Sequence, residues 1–556
     1  MASDAQQGDR INILFVMYDQ LRFDYLGCAG HPHLQTPNFD RVAARGVRFT
    51  NAYCQSPICG ASRMSIYTGR YVSSHGASWN GVPLRVGEPT LGDHLRAAGM
   101  DCWLIGKTHM KADTAGMERL GIGTASRAGQ RVEECGFDVW VRDDGLWGEG
   151  PDGFYDPKPS PYNEYLKSKG YPSDNPWSDY ANAGVDENGN IASGWMFQNC
   201  DRPANIREED SETPWLTREA LSFIEQAEGP WCAHVSYIKP HWPYIVPAPY
   251  HDMFGPEHIP PARRHEAEKN DPHPVLAAYM KGRVAKAFQR EEVRQKVIPA
   301  YMGLIKQCDD QLGVLLDHLE ETGRAANTMI VLCSDHGDYL GDHWLGEKDF
   351  FHEQSVKIPL ILYDPRAQAD PTRGTICDAL VESIDLAATF IETAGGERPA
   401  HIVEGRSLLP WLRGQTPDWR DCVISEYDYA ATGHCVKLGL SPSDARMVMV
   451  HDGRFKLIHF EGGFRPMLFD LAEDPDEFHD LGASPAHAET RERLYAQLSR
   501  WGRRQSQRIT RSDAEIAAGR GASGRKGILP FLVDGSEVPE ELTEKFRGKA
   551  GMDHTH

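Results

Sequence analysis

Apolar and polar positions follow two alternating periods along the first three quarters of the chain. Ile11 to Met17 is apolar apart from Asn12 and has the length of a strand buried on both faces. Thr36-Pro37 opens a helix through Arg45, with Thr as cap, Pro in the first turn and Gly46 as stop. Val47 to Tyr53 predicts a second strand, Leu91 to Ala98 a helix stopped by Gly99, and Asp101 to Ile105 a third strand. The alternation continues with a helix near Thr217 to Ala227, a strand over Trp231 to Ile238, and a long helix near Val297 to Glu321. Strands over Thr328 to Cys333 and Ile358 to Tyr363 complete it. The pattern predicts an α/β fold with a large, mostly parallel central sheet sandwiched by helices.

Two stretches depart from it. Between about Gly145 and Pro214, Gly, Pro, Asp, Asn and Trp dominate and no period holds. A loop of that length is expected to be functional or to wrap the body. From about Asp421 the pattern turns antiparallel, because Arg446 to Val450 and Phe455 to Phe460 flank the hairpin signal Asp452-Gly453. A helix follows near Ala488 to Arg504. The expected organisation is a main α/β domain over residues 1–420, a smaller antiparallel subdomain with a helix over 421–505, and an extended tail over 506–556. One apolar knot in the tail, Ile528 to Val533, predicts docking on the body or on a partner subunit.

Composition narrows the function. With 556 residues, 40% apolar and 25% charged, the chain can bury a sizeable core and is not globally disordered. A net charge of -21 argues against nonspecific nucleic-acid binding and against docking on an anionic membrane. The longest apolar runs are far short of a membrane span. The N-terminus carries Asp4, Asp9 and Arg10 before a short apolar run, unlike a signal peptide, so the expected location is cytoplasmic. The 12 cysteines are scattered without a Cys-x-x-Cys pair and are expected as reduced thiols.

In open α/β sheets, chemistry sits beyond the carboxyl ends of the strands. There this chain places Asp19-Gln20, Gly106-Lys107-Thr108-His109, Lys239-Pro240-His241 and Asp335-His336-Gly337-Asp338. After Val47 to Tyr53 it reads Cys54-Gln-Ser-Pro-Ile-Cys59-Gly-Ala-Ser-Arg63. Each piece alone has a plain structural reading: a helix cap, a turn pair, a solvated loop, a buried small thiol. Their convergence points to chemistry. Two acids, an imidazole and an amide oxygen suit a hard divalent cation. Lysines and histidines around it would bind a tetrahedral oxyanion and pass protons.

Cys59-Gly-Ala-Ser-Arg63, with Thr68-Gly69-Arg70 downstream, resembles the sulfatase signature. Gly106-Lys-Thr-His109, Lys239-Pro-His-Trp-Pro-Tyr244, Ser334-Asp-His-Gly-Asp338 with Gly341-Asp-His343 and Lys348, and Leu468 to Asp476 resemble further motifs of that family. Asp19-Gln20 and Asp335-His336 resemble the subgroup of arylsulfatases and phosphonate monoester hydrolases in the alkaline phosphatase superfamily. The resemblance runs from about Asn12 to Gln497. It departs at Ala61, where the family prefers Pro, while Cys59 and Arg63 keep their spacing.

The resemblance implies a catalytic domain over 1–420 and oxidation of Cys59 to formylglycine by a separate formylglycine-generating enzyme. It implies one divalent metal, Ca or Mn, held by Asp19, Gln20, Asp335, His336 and the modified Cys59. Arg63 would hold the hydrated aldehyde, and Lys107 and Lys348 would neutralise substrate oxygens. His241, or Lys348 beside it, would protonate the leaving oxygen, and His109 would act as base. Asn80 is a further oxyanion-binding candidate, while His343 and His352 are expected to be structural. Trp79, Trp147, Trp195 and Trp242 are candidates for an aromatic-alcohol pocket.

The expected activity is hydrolysis of small sulfate monoesters by a homo-oligomer, dimer or tetramer, without nucleic acid or membrane partners. Phosphonate or phosphate ester hydrolysis on the same site is the alternative, and an inactive binding homologue with unconverted Cys59 a third reading. The resembled phosphonate hydrolases carry Tyr and Thr where Lys107 and His109 stand here, which favours sulfate.

Overall fold

The computed structural model describes residues 11–145, 160–504, 506 and 509–519. In chain order the strands begin with β1 Asn12–Asp19, β2 Val47–Tyr53, β3 Asp101–Gly106 and β4 Asp138–Arg142. A separate hairpin, β5 Ala183–Val185 and β6 Ile191–Ser193, is followed by β7 Trp231–Pro240, β8 Thr328–Ser334, β9 Leu360–Tyr363 and β10 Thr375–Glu382. Eight of them form one sheet in the order β10-β2-β9-β8-β1-β7-β3-β4. Neighbours are parallel except around β9, which runs antiparallel to both β8 and β2. The architecture is the mostly parallel α/β sheet expected.

Period two explains how the sheet divides the core. In β1, Ile13, Phe15 and Met17 enter the hydrophobic cluster on one face, and Leu14, Val16 and Tyr18 the cluster on the other. β8 splits the same way, Met329, Val331 and Cys333 against Ile330 and Leu332. Each fully buried aliphatic side chain contributes roughly 1.5–3 kcal/mol. The edge strands β4 and β10 went unread in the sequence. Both are half exposed, with Asp138, Arg142, Thr375 and Asp378 breaking the apolar run that marks a central strand. The long helix Glu291–Glu321 starts a turn and a half before the expected Val297. Its opening residues are mostly polar, with Glu291 and Glu292 complementing the helix dipole rather than joining an apolar stripe.

The stretch read as a loop carries the helix Pro161–Ser168 and the β5–β6 hairpin, anchored by buried Tyr162 and Trp177. A second sheet, β11 Val423–Asp428, β12 Arg446–His451, β13 Phe455–Phe460 and β14 Met467–Asp470, is antiparallel throughout. Met447, Met449, Ile458 and Phe469 on one face continue a main core cluster. Ile424, Val450, Leu457 and Leu468 on the other meet Leu494 of the helix Ala488–Gly502. Lys456 of β13 is wholly buried and donates to Glu353 Oε1 and Glu477 Oε1 at 2.8 Å each and to the Phe351 carbonyl at 3.0 Å.

Residues 399–402 and 505–556 form a second unit, whose described part holds the helix Asp513–Ala518, opened by a capping box between Ser512 and Glu515. The apolar knot Ile528 to Val533 and Trp147 lie outside the described residues. All twelve cysteines are free thiols. Among the described residues no helix is long and apolar enough to cross a membrane.

Candidate active site

β8, β1, β7 and β3 are consecutive in the sheet and parallel, so the residues after their carboxyl ends converge on one spot. The chain leaving β2 reaches the same spot through the helix Cys59–Thr68, which puts Cys59 at the helix start, where the backbone dipole favours negative charge. The departure at Ala61 falls in the first turn of this helix, whose N–H groups have no intrahelical acceptor. Ala and Pro suit that position alike, so the folded site does not depend on the difference.

The Cys59 sulfur has charged and polar neighbours on every side. Lys348 Nζ lies 2.9 Å away, His336 Nε2 3.0 Å and Asp19 Oδ1 3.6 Å. Burial, reinforced by Asp19, pushes the thiol up to about 12. Burial would also raise Asp19, but Lys107, His241, Arg63 and Lys348 hold its carboxyl well below the usual range. Lys107 Nζ is 2.7 Å and Arg63 Nη2 3.1 Å from Asp19 Oδ2, which leaves Oδ1 facing the sulfur. Arg63 is pinned by Asp335 Oδ2 at 2.8 Å, Ser236 Oγ at 2.8 Å and the Lys107 carbonyl at 3.0 Å.

A divalent cation fits this donor set. Ligand atoms of Asp19, Cys59, Asp335 and His336 all lie within 4.8 Å of one another, and two oxygen ligands of one Ca²⁺ are at most about 5 Å apart. His336 donates Nδ1–H to the Gly337 carbonyl at 2.8 Å, which leaves the Nε2 lone pair for the ion, and burial keeps the ring neutral. Gln20 is set the same way. Its amide nitrogen donates to Asp338 and, at 3.0 Å, to the Tyr244 hydroxyl, so Oε1 points inward, 3.2 Å from Lys348 Nζ. Its backbone is left-handed at φ 65° and held from both sides. The N–H donates to Asp335 Oδ1 at 3.0 Å, and the carbonyl accepts from Tyr301 at 2.7 Å.

His241 donates Nδ1–H to the Trp242 carbonyl at 2.7 Å, and Nε2 faces Lys348 Nζ at 3.3 Å. Burial lowers its pKa well below the usual range despite Asp19, so the ring is neutral and Nε2 accepts. Asn80 accepts the Gly60 N–H on Oδ1 at 2.7 Å, which turns its Nδ2 donor away from the helix. A Cβ on Gly60 would lie 2.8 Å from that oxygen, so only glycine admits the contact. His109 lies on the cavity wall beyond Lys107, its backbone left-handed at φ 53° and its N–H donated to Asp144 Oδ1 at 2.8 Å. His343 and His352 stand apart, stacked at 3.9 Å. His343 pairs with Glu268 at 2.7 Å and His352 with the Tyr339 hydroxyl at 2.9 Å.

The site opens into a cavity of about 1060 Å³. Trp79, Trp195 and Trp242 line it as expected, and so do Trp140, Trp177 and Trp215, which sequence reasoning missed. Acids line it too. Burial pushes Glu134 and Glu347 up to about 7. Asp338 and Tyr244 lay inside quoted motifs, but their partner Gln20 is 318 and 224 residues away, so no local signal gave them a role.

Known proteins are similar to this chain over most of its length. The family model described as "Sulfatase" matches residues 11–396, and one described as "N-sulphoglucosamine sulphohydrolase, C-terminal" matches residues 341–504. The chain is 32% identical to the "Multifunctional alkaline phosphatase superfamily protein PehA" of Trinickia caryophylli, over 86% of this chain and 92% of that one. It is 28% identical to an arylsulfatase of Clostridium perfringens, over 86% and 91%. Among solved structures, the phosphonate monoester hydrolase of Silicibacter pomeroyi superposes with a TM-score of 0.77 at 31% identity, covering 88% of this chain and 95% of that one.

Proposed function

This chain belongs to the sulfatase family of the alkaline phosphatase superfamily, and on that premise we propose that it hydrolyses sulfate monoesters with a nucleophile made from Cys59. The observation that carries the proposal is the setting of the buried Cys59 sulfur, between His336 at 3.0 Å and Lys348 at 2.9 Å, a lysine that lines the cavity. As a thiol pushed up to about 12, Cys59 is a poor nucleophile. Converted to formylglycine and hydrated, it presents two hydroxyls on one carbon. One oxygen attacks sulfur, and the bond from sulfur to the alcohol oxygen breaks with its electron pair on that oxygen. The second hydroxyl then loses its proton, the aldehyde re-forms and sulfate leaves. Because Cys59 is fully buried, the maturation enzyme must reach it before the chain folds over it.

The residues divide the work. Lys107 and Lys348 neutralise the sulfate oxygens, Arg63 and Asn80 fix the reacting groups, and His109 takes the proton of the second hydroxyl. His241 has its only N–H bound to Trp242, so the proton for the leaving oxygen comes from Lys348, which His241 steadies. A divalent cation held by Asp19, Gln20, Asp335 and His336 would supply Lewis-acid stabilisation of negative oxygen. The carboxylate and amide oxygens suit calcium and the imidazole suits manganese.

Phosphonate monoester hydrolysis is the second reading, favoured by the likeness to the Silicibacter pomeroyi enzyme. The Lys107–Asp19 pair and His109 favour sulfate. The test is kcat/KM for an aryl sulfate and a phosphonate monoester side by side, with sulfate preferred. The double variant Lys107→Tyr, His109→Thr should shift the ratio toward phosphonate by on the order of 10²-fold. Equal loss of both activities would mean that the two positions serve general catalysis and do not select the substrate.

A further inference from the structure

Three tryptophans lead away from the reacting centre along the cavity wall. Trp242 lies 4.3 Å from the His241 ring, Trp195 meets Trp242 edge-on at 4.9 Å, and Trp177 lies 6.2 Å from Trp195. Trp177 Nε1 donates to Glu212 Oε1 at 2.7 Å. Glu212 in turn meets Asp143, a cavity-lining residue, carboxyl to carboxyl. Both acids are more than nine-tenths buried, at 4% and 5% exposure. Apart from that contact with each other, Glu212 Oε2 and Asp143 Oδ2 have no hydrogen-bond partner among the described residues.

Two facing carboxyls in a dry wall cannot both stay ionised without a compensating positive charge. Among the described residues the nearby cations are committed. Lys239 feels the field of both acids, but its ammonium donates to Asn182 Oδ1 at 2.8 Å and the Pro243 carbonyl at 3.1 Å. Arg142 pairs with Glu134 and Asp144. Burial above all, and then Glu212, holds Asp143 well above the usual carboxylate range, and the Gly145 amide offsets this only in part. Without ligand Asp143 keeps its proton beside Glu212. A cationic group would replace that proton and find π-faces beside it, the combination that binds ammonium ions.

We propose that this end of the cavity is a cation subsite, and that the alcohol half of the substrate carries an ammonium group seated against Asp143, which Glu212 backs, and the Trp177–Trp195–Trp242 wall. The proposal deepens the sulfatase reading by naming the substrate class, and it rests on that reading for the other half of the molecule.

The experiment compares 4-(2-aminoethyl)phenyl sulfate with 4-propylphenyl sulfate, esters matched in shape and different in charge, on the matured, metal-loaded enzyme. The cationic ester should have a kcat/KM about tenfold higher or more. Asp143→Asn should bring the ratio near one, and Trp195→Leu, which keeps both carboxyls, should lower it in part. A wild-type ratio of one or below would overturn the proposal without any variant. If neither ester turns over, the sulfatase reading is what fails. The subsite is then decided by the free alcohols. Tyramine quenching tryptophan fluorescence at about tenfold lower concentration than 4-propylphenol supports it, and equal binding overturns it.

Discussion

Lys348 and Lys456 are both buried lysines raised above their usual range by neighbouring negative groups against the pull of burial, yet they belong to different kinds of cluster. Lys456 gives its three protons to two glutamates and a carbonyl, permanent acceptors on the segments after β8 and after β14 that seal it. Lys348 gives its protons to the Cys59 sulfur, the Gln20 amide oxygen and the His241 ring. Those acceptors are the residues expected to hold the nucleophile, the ion and the leaving oxygen. A buried charge satisfied by permanent partners holds a fold together. One satisfied by reacting groups, on a cavity wall, is set up for chemistry.

The largest effect should come from breaking the sealed cluster. Lys456→Met leaves buried Glu477 without its lysine and Glu353 with Lys357 alone, and should cost about 3–5 kcal/mol in denaturant unfolding. Activity per folded molecule should stay near wild type. Lys348→Met should do the reverse, lowering kcat/KM by about 10²–10³-fold with little change in the unfolding midpoint. If the two variants lose stability alike, both clusters are structural and the distinction collapses.

Asp335→Asn sharpens the contrast on the catalytic side. A neutral amide holds a divalent ion far less well than a carboxylate, so metal content and activity should fall together. Full metal content by elemental analysis beside lost activity would remove Asp335 from the ligand set.

The smallest effect belongs to the stacked histidines, structural like Lys456. Burial lowers His343, but the Glu268 contact outweighs it and raises its pKa. Its pairing therefore adds stability in full below the unfolded histidine value of about 6.5, and loses it as pH rises through the higher folded value. The stability difference between wild type and His343→Gln should be greatest in mild acid and shrink above neutrality. A difference that grows with pH would contradict the ion pair.

What the sequence disclosed follows the same physics. Central strands such as β1 and β8 were legible because burial on both faces forces an unbroken apolar run. The edges β4 and β10 were not, because β4 offers only three apolar residues between Asp138 and Arg142, and exposure lets Asp378 interrupt β10. Most catalytic candidates were legible because they sit in contiguous motifs that end or follow strands, as Asp19-Gln20, Lys107, His241 and Asp335-His336 do. Their supports were not. Asp338 acts on Gln20 across 318 residues, and Asp143 meets Glu212 between segments that show no periodicity.

The central claim is that Cys59 becomes the nucleophile by losing its sulfur. Mass spectrometry of the Cys59 peptide tests it most directly, on preparations made with and without a formylglycine-generating enzyme. Conversion replaces the thiol sulfur and two hydrogens with one oxygen, a loss of about 18 Da, whereas ordinary thiol oxidation adds mass. Aryl sulfatase activity should rise in proportion to the converted fraction and vanish with it. Full activity in protein whose Cys59 peptide keeps its unmodified thiol mass would contradict the claim.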